Sequence, residues 1–293
     1  MEALFSPPGA AGPETIPQMA RLLPMRARRA RRTFRQIVAA GATAAACFVA
    51  APALALDPAT VQQPASQQDP WDALRSAYDN YKSGHVEEAV REYRYAAEKG
   101  QLGAQWKLAR MYAAGDGVKR NDYEAFKFYT QVVRQGVDQG SVEGAYVSDA
   151  LVEIGNYLRK GIPDSPVAPD PMLAQEYYRD AAINFRNPDA QFELGRMFLV
   201  GEGVKTSVKQ AGRWLQLASD KGHAGAQATL GNLLYQRGKV VRGLAMMTAA
   251  LERANPLERT WIFTMQEEAF SLASEADRRT AVALAQDILR KDR

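Results

Sequence analysis

The 293-residue chain contains very little cysteine and histidine. Cys47 is its only cysteine, and His85 and His223 are its only histidines. Structural zinc sites take their ligands from cysteine and histidine, and small exported domains often depend on disulfides. An internal disulfide framework and a Cys/His zinc centre are therefore excluded. No metal and no cofactor is predicted.

Runs of lysine and arginine are missing after residue 55. Residues 1–55 hold seven arginines and two glutamates, which leaves 30 basic and 31 acidic side chains in the rest of the chain. The formal charge of +4 therefore comes from the N-terminal segment. Because nucleic-acid-binding proteins carry basic patches, the sequence predicts no nucleic-acid partner.

Sequence motifs of catalysis are missing as well. No strand pattern precedes Gly115 and Gly117, and no lysine–hydroxyl pair follows them, so they indicate a turn rather than a phosphate-binding loop. No nucleophile elbow is present, although a Ser/His/Asp group assembled only by folding stays open. For His85 and His223, a structural role and a pH-sensing role both stay open. The prediction is that the protein is not an enzyme.

The N-terminal segment has the pattern of a secretory signal peptide. A positively charged stretch at residues 25–32 precedes an apolar run at residues 37–49, and Ala53 and Ala55 form a small-x-small cleavage site. The apolar run is too short to span a bilayer. The pattern predicts export with cleavage after Ala55, and it makes Met25 a candidate for the true translation start.

A segment of about 36 residues occurs twice. Residues 100–136 and 187–222 carry the same residue types at positions 86 apart. Repeats of this length are typical of helical solenoids. The matched positions are Ala104 with Ala190, Leu108 with Leu194, Met111 with Met197, Gly115 with Gly201, Gly117 with Gly203, Ala125 with Ala211, and Phe128 with Trp214.

Each repeat has the pattern of two helices joined by a glycine turn. Apolar residues recur at three-and-four spacing, which predicts one buried face on each helix. Glycine ends the first helix because it takes left-handed conformations freely, and a second helix is predicted from about Asp122. One pair cannot bury its faces alone, so neighbouring pairs must stack. The expected inner positions are Ala104, Leu108, Met111, Tyr112, Ala125, Phe126, Tyr129 and Val133.

Less regular copies of this unit extend the array in both directions. The predicted fold class is all-α, an α-solenoid or superhelix of antiparallel helix pairs. The predicted order is a signal peptide (1–55), a flexible tether (56–70), repeat units (about 71–100, 101–136, 141–186, 187–222 and 223–251) and C-terminal capping helices (252–293). The glycines predicted to lie at the turns are Gly115, Gly117, Gly161, Gly201, Gly203 and Gly238.

The turn of the unit at 141–186 is longer than the others. Residues 161–171 contain four prolines where the sibling units have a short glycine turn, which predicts a stiff excursion on the surface. Insertions in a solenoid often mark the binding face. A neutral loop extension is the equally weighted alternative.

Partner-binding candidates come from the first unit. Tyr93 and Ala96 already account for the buried face of the second helix, so Arg94 and Tyr95 are candidate contacts, together with His85 in the preceding turn. The other aromatic residues nearby are expected to lie mostly in the core. They are Trp71, Tyr78, Tyr81, Trp106 and Tyr112.

The units at 104–136, 150–185, 190–222 and 226–251 resemble Sel-one-like repeats (SLR), which are relatives of the tetratricopeptide repeat (TPR). The signal and tether, the phrases at 92–100 and 242–251, and the tail at 265–279 further resemble the ExoR-like exported regulators of alphaproteobacteria. The match to the repeats covers most of residues 71–251, and the resemblance to the regulators lies in the whole layout of the chain. It rests on motifs that carry the fold rather than a chemical step.

The resemblance implies a periplasmic inhibitor. Such a protein binds the periplasmic sensing domain of a membrane histidine kinase and meets the membrane only through that partner. Its loss to a periplasmic protease releases exopolysaccharide, motility and host-interaction programmes. Two alternatives stay open: a generic envelope scaffold, and a repeat-based cell-wall or β-lactam enzyme, against which the cysteine-free mature chain counts.

Overall fold

The computed structural model describes residues 69–138 and 140–291. The predicted signal peptide, including Ala53 and Ala55, and residues 56–68 of the predicted tether lie outside that range. The described residues form twelve α-helices and no strand. The helices are α1 (Pro70–Lys82), α2 (Val86–Glu98), α3 (Leu102–Ala114), α4 (Asp122–Gln135), α5 (Gly144–Lys160), α6 (Pro171–Asn184), α7 (Pro188–Val200), α8 (Val208–Ser219), α9 (Ala224–Gln236), α10 (Val240–Arg253), α11 (Pro256–Leu272) and α12 (Glu275–Lys291).

Consecutive helices pack as hairpin pairs, from α1 with α2 to α9 with α10. The second helix of each pair also packs against the first helix of the next pair. Every pair thus buries one face internally and another against its neighbour, as a stack of repeats requires. The predicted all-α solenoid is confirmed.

Left-handed glycines form the turns within the pairs. All six turn glycines named from the sequence have positive φ angles, between 68° at Gly117 and 81° at Gly201. Gly115 and Gly201 cap α3 and α7, and their amides donate to the carbonyls of Met111 and Met197. A side chain at these positions would be strained, which explains why the two matched turns both use glycine.

Side-chain caps define where many of the helices begin. The carboxamide oxygen of Asn121 accepts from the amides of Tyr123 and Glu124 at the start of α4. Ser274 caps α12 in a similar way, since the Asp277 amide donates to the Ser274 hydroxyl over 3.1 Å. These caps satisfy amides that have no partner inside the helix. The other side-chain caps are Asp69, Asp170, Asn187, Ser207, His223 and Asn255.

Small residues set the distance between the two helices of the last complete pair. Gly231 of α9 and Gly243 of α10 face each other so closely that a Cβ added to Gly243 would lie 2.6 Å from the Gly231 carbonyl oxygen. The alanines at the start of the second helices, such as Ala125 and Ala211, are fully buried. Helix backbones can approach this closely only where side chains are small.

Two expectations about the buried faces need correction. Val133 is partly buried and packs against the core as expected, but Val132 is the fully buried valine of α4, because the face through Ala125 and Tyr129 continues at a spacing of three. Trp71 and Tyr78 are each 55 % exposed rather than part of the core. They lie on α1, and no described helix precedes α1 to cover that face.

The proline-rich turn was predicted to be a stiff excursion on the surface, but part of it is buried against the solenoid. Ile162 and Val167 are both buried, and the Ile162 amide donates to the Val167 carbonyl over 2.9 Å. The Asp170 amide donates to the Leu158 carbonyl at the end of α5. The loop therefore closes on itself and is anchored to the solenoid by two apolar side chains.

The last helix packs differently from the other second helices. α12 lies against α10, and α11 lies against α9 and α10. Ala281 and Ala285 are the fully buried residues of α12, whereas Val282 is 42 % exposed. Within the described range, no helix is both long and apolar enough to cross a membrane.

Candidate protein-binding surface

The first helices of the pairs line one side of the solenoid. Neighbouring first helices approach one another at α3–α5, α7–α9 and α9–α11, whereas the second helices from α2 to α10 approach their counterparts less closely. A stack of repeats curves toward the side on which neighbours are closer. We call the solvent-facing side of α3, α5, α7, α9 and α11 the inner face.

An aromatic and acidic group occupies the inner face between α3 and α5. The Trp106 indole N–H donates to Asp149 over 2.5 Å, and the Tyr146 ring centroid lies 4.9 Å from that of Trp106. The guanidinium of Arg110 lies 4.8 Å from the Trp106 ring centroid. Trp106 is thus held between an aromatic ring, a cation and a carboxylate.

Asp149 and Glu153 lie one helical turn apart on α5, and both are partly buried. The Asn156 amide donates to Glu153, and no described basic side chain forms an ion pair with either carboxylate. Burial raises the pKa of both groups, the charge of Asp189 raises it further, and the charge of Arg110 opposes this. The fold therefore holds two carboxylates where their charged forms are disfavoured.

We expect the double variant Asp149→Asn/Glu153→Gln to be more stable than the wild type at pH 7. A raised folded-state pKa means that the native protein holds these protons more tightly than the unfolded chain. The two groups therefore cost stability as the pH rises above the unfolded-state value of about 4, and cost nothing below it. Urea unfolding at pH 3.5 and pH 7 measures the difference. An equal effect of the double substitution at both pH values would contradict this assignment.

An apolar cavity of about 500 Å³ opens on the inner face between α7, α9 and α11. Val200 on its wall is 71 % exposed. Arg196 and Glu258 supply the charged groups at this cavity. The apolar cavity is defined here by Phe192, Leu199, Val200, Trp261 and Met265.

His223 joins the apolar cavity to the acidic side chains. Its Nδ1 accepts from the Ala226 amide over 3.2 Å, so the imidazole caps α9. Its Nε2 lies 3.3 Å from an Asp189 carboxylate oxygen, and its ring centroid lies 4.5 Å from that of Phe192. His223 thus has a structural role in the described fold. Among the described residues, no group of three or more His, Cys, Asp or Glu side chains is placed to bind a metal ion.

The candidates named from the sequence do not form one site. Arg94 donates to the Tyr112 hydroxyl over 2.7 Å and lines an open groove of about 1100 Å³. That groove also contains Ile162 and Pro163, so it brings Arg94 close to the proline-rich turn. Tyr95 packs against the core of the first unit, with the Lys99 ammonium 5.6 Å from its ring centroid. His85 is exposed at the start of α2 and caps nothing with its side chain.

Sequence reasoning missed Asp149 and Glu153. Charged residues on a helix usually indicate a solvated face, and the repeats were identified from their apolar positions. The alignment of the repeat units nevertheless contains a signal for these two residues. Aligned on Ala150 and Ala190, the position of Asp149 is acidic again at Asp189 in the next first helix, whereas the units aligned on Ala104 and Ala226 have Gly103 and Gly225 there. Recurrence of a charge at the same register predicts a shared face rather than scattered surface residues.

Comparison with known proteins agrees with this architecture. The family model described as Sel1 repeat matches residues 102–137, 148–184 and 188–223. A protective antigen of uropathogenic Escherichia coli with an SLR fold superposes with a TM-score of 0.61 and 26% identity, over 77% of this chain and 46% of that one. A Sel1 repeat protein from Oxalobacter formigenes superposes with a TM-score of 0.54 and 23% identity, over 79% of this chain and 91% of that one.

Two curated relatives match over most of their length. The "Exopolysaccharide production negative regulator" of Rhizobium meliloti (strain 1021) is 47% identical over 251 residues, which are 86% of this chain and 91% of the relative. The protein of the same name from Rhizobium leguminosarum bv. viciae is 48% identical over 222 residues, 76% and 83% of the two chains. The chain therefore belongs to the Sel1-repeat family that includes the exopolysaccharide production negative regulators.

Proposed function

We propose that the protein is an exported negative regulator of exopolysaccharide production that acts by binding another protein. The observation that carries this proposal is the near-full-length similarity to two regulators of that name. Repeat solenoids supply extended surfaces for protein partners, and the inner face offers charged, aromatic and apolar groups for one. Such a protein regulates by occupying its partner and needs no catalytic group.

The partner we propose is the periplasmic sensing domain of a membrane histidine kinase. The predicted signal peptide supports export to the periplasm, where such a domain is accessible. The regulator would hold the kinase in its repressed form and reach the membrane only through it. Proteolysis of the regulator by a periplasmic protease would relieve repression. The resemblance to ExoR-like regulators supports both steps.

Calorimetry of the mature chain, residues 56–293, with the periplasmic domain of the co-resident sensor kinase tests the proposal. We expect saturable binding with one-to-one stoichiometry, and deletion of the gene should raise exopolysaccharide output. Binding to several unrelated envelope proteins with unchanged exopolysaccharide would instead indicate a generic scaffold. Hydrolysis of a β-lactam or a cell-wall fragment by the purified protein would indicate an enzyme.

A further inference from the structure

The inner face carries an acidic strip, defined by Asp149, Glu153 and Asp189. Asp149 and Glu153 lie one turn apart on α5, and Asp189 lies in the first turn of α7, close enough for its charge to contribute to the raised pKa of both. Arg110 is the basic group whose charge acts on both α5 carboxylates, and it lies over the Trp106 ring rather than in an ion pair with them. The strip thus carries excess negative charge.

The arginines Arg159 of α5 and Arg196 of α7 are engaged with other carboxylates. Arg159 forms ion pairs with Glu193 and Glu202, and Arg196 pairs with Glu193. Asp149 and Glu153 are partly buried and have no ion pair, whereas Asp189 is exposed and lies 3.3 Å from His223. Partly buried carboxylates without an ion pair are costly, and a cation supplied from outside would reduce that cost. A guanidinium or ammonium group suits this place, because carboxylates and aromatic rings both attract it.

The apolar cavity directly adjoins the acidic strip. Asp189 and Phe192 lie three residues apart on α7, so the same helix contributes one to the strip and the other to the cavity. The cavity suits a bulky apolar side chain, since most of its wall is aliphatic or aromatic. A cation site and an apolar site next to each other form a two-part recognition surface.

We propose that the inner face binds a segment of the partner protein that carries a basic residue over the acidic strip and a bulky apolar residue in the apolar cavity. This inference rests on the proposed function and specifies the partner's recognition chemistry. Neighbouring helix axes lie about 8–10 Å apart, so the two sites are roughly 10–20 Å apart. An extended chain spans that distance with about 3–6 residues.

A selection that does not depend on the identity of the kinase tests the recognition chemistry. A phage-displayed library of random 12-residue peptides would be selected on the mature chain, residues 56–293. We expect enriched peptides to combine arginine or lysine with a large apolar residue, and to lose binding to Asp149→Asn/Glu153→Gln. Failure to enrich such peptides, or equal binding to the double variant, would overturn the proposal.

Calorimetry with the sensing domain then separates this proposal from the proposed function. If the wild type binds, the double variant should bind about 10- to 100-fold more weakly, because it leaves the partner's cation unpaired. The matched control is Glu87→Gln/Glu88→Gln on the exposed start of α2, which removes the same charge and should leave the Kd unchanged. Wild-type binding with no effect of the double variant refutes the two-part surface and leaves the proposed function intact. If the peptide selection succeeds as expected but the sensing domain does not bind, only the proposed kinase partner is refuted.

A separate variant and its control test the apolar cavity. Val200→Gln places a polar group on the cavity wall at an exposed position, so it should weaken peptide and partner binding about 10-fold without unfolding the protein. Val142→Gln, at a position that is 88 % exposed and outside the cavity, should have no effect. Unchanged binding by Val200→Gln would remove the apolar cavity from the proposed surface.

Discussion

Gly243→Ala is expected to lower the free energy of unfolding by about 3 kcal/mol, near the upper end for overpacking a close contact. The added Cβ would lie 2.6 Å from the Gly231 carbonyl oxygen and 2.7 Å from the Tyr235 amide nitrogen. These are backbone atoms of α9, so no side-chain rotation can relieve the clash. The α9–α10 pair must open, and the packing of α12 against α10 must shift with it.

Guanidinium unfolding of the purified protein, followed by circular dichroism, measures this loss. Gly212→Ala is the matched control, since Gly212 also lies near the start of a second helix, α8, and a Cβ there would meet nothing within 4 Å. That control should gain roughly 0.5–1 kcal/mol, because alanine is the better helix former. Equal stability of Gly243→Ala and the wild type would show that the α9–α10 spacing is not fixed by backbone contact.

Most of the fold follows from the repeat pattern. The 86-residue register placed Leu108 and Leu194 at equivalent buried positions, and the structure buries both completely. The glycine turns could be predicted equally well, because a left-handed backbone strongly favours glycine. The pattern did not show which helices cover the outer face of α1. Tyr78 has the spacing of a core residue, but no helix of the described residues 69–138 and 140–291 covers it, and that depends on the stack rather than on α1.

The candidate surface was less predictable than the fold. Arg94 and Tyr95 were chosen by elimination on one helix, yet the inner face is assembled from five helices that are distant in sequence. Asp149 and Trp106 are 43 positions apart and meet through one hydrogen bond. Side-chain chemistry of this kind becomes visible only when the helices are stacked, whereas helix periodicity reports on one helix at a time.

The acidic residue between the two turn glycines has a role that the turn motif did not reveal. In the first regular unit, Asp116 accepts a hydrogen bond from the Tyr81 hydroxyl over 2.6 Å. In the matched unit, Glu202 accepts from the Arg159 guanidinium over 2.8 Å. Each turn is thus tied to the first helix of the preceding unit. The glycines shape the turn, and the residue between them fixes its position on the stack.

Arg159→Met is the second substitution from which we expect a large loss, about 2–3 kcal/mol. Arg159 joins Glu193 of α7 and Glu202 of the following turn to α5, and the Arg159 and Glu193 side chains are each only 16% exposed. Methionine keeps most of the packing of the aliphatic stem but leaves Glu202 without a cation and leaves Glu193 with only the more exposed Arg196. Removing one partner of a mostly buried pair is costly, because the remaining charge stays desolvated.

A comparison of buried and exposed pairs isolates the cause of that loss. Arg279 and Glu275 form an ion pair on α12 with side chains 75% and 73% exposed, so Arg279→Met should change stability by less than about 0.5 kcal/mol. Adding Glu202→Gln to Arg159→Met should recover much of the lost stability, since Glu193 still pairs with Arg196 and no desolvated carboxylate is left unpaired. If this double variant were as unstable as Arg159→Met alone, the loss would come from packing of the arginine stem. If it recovers, charge pairing between neighbouring units sets the stability at this point of the solenoid.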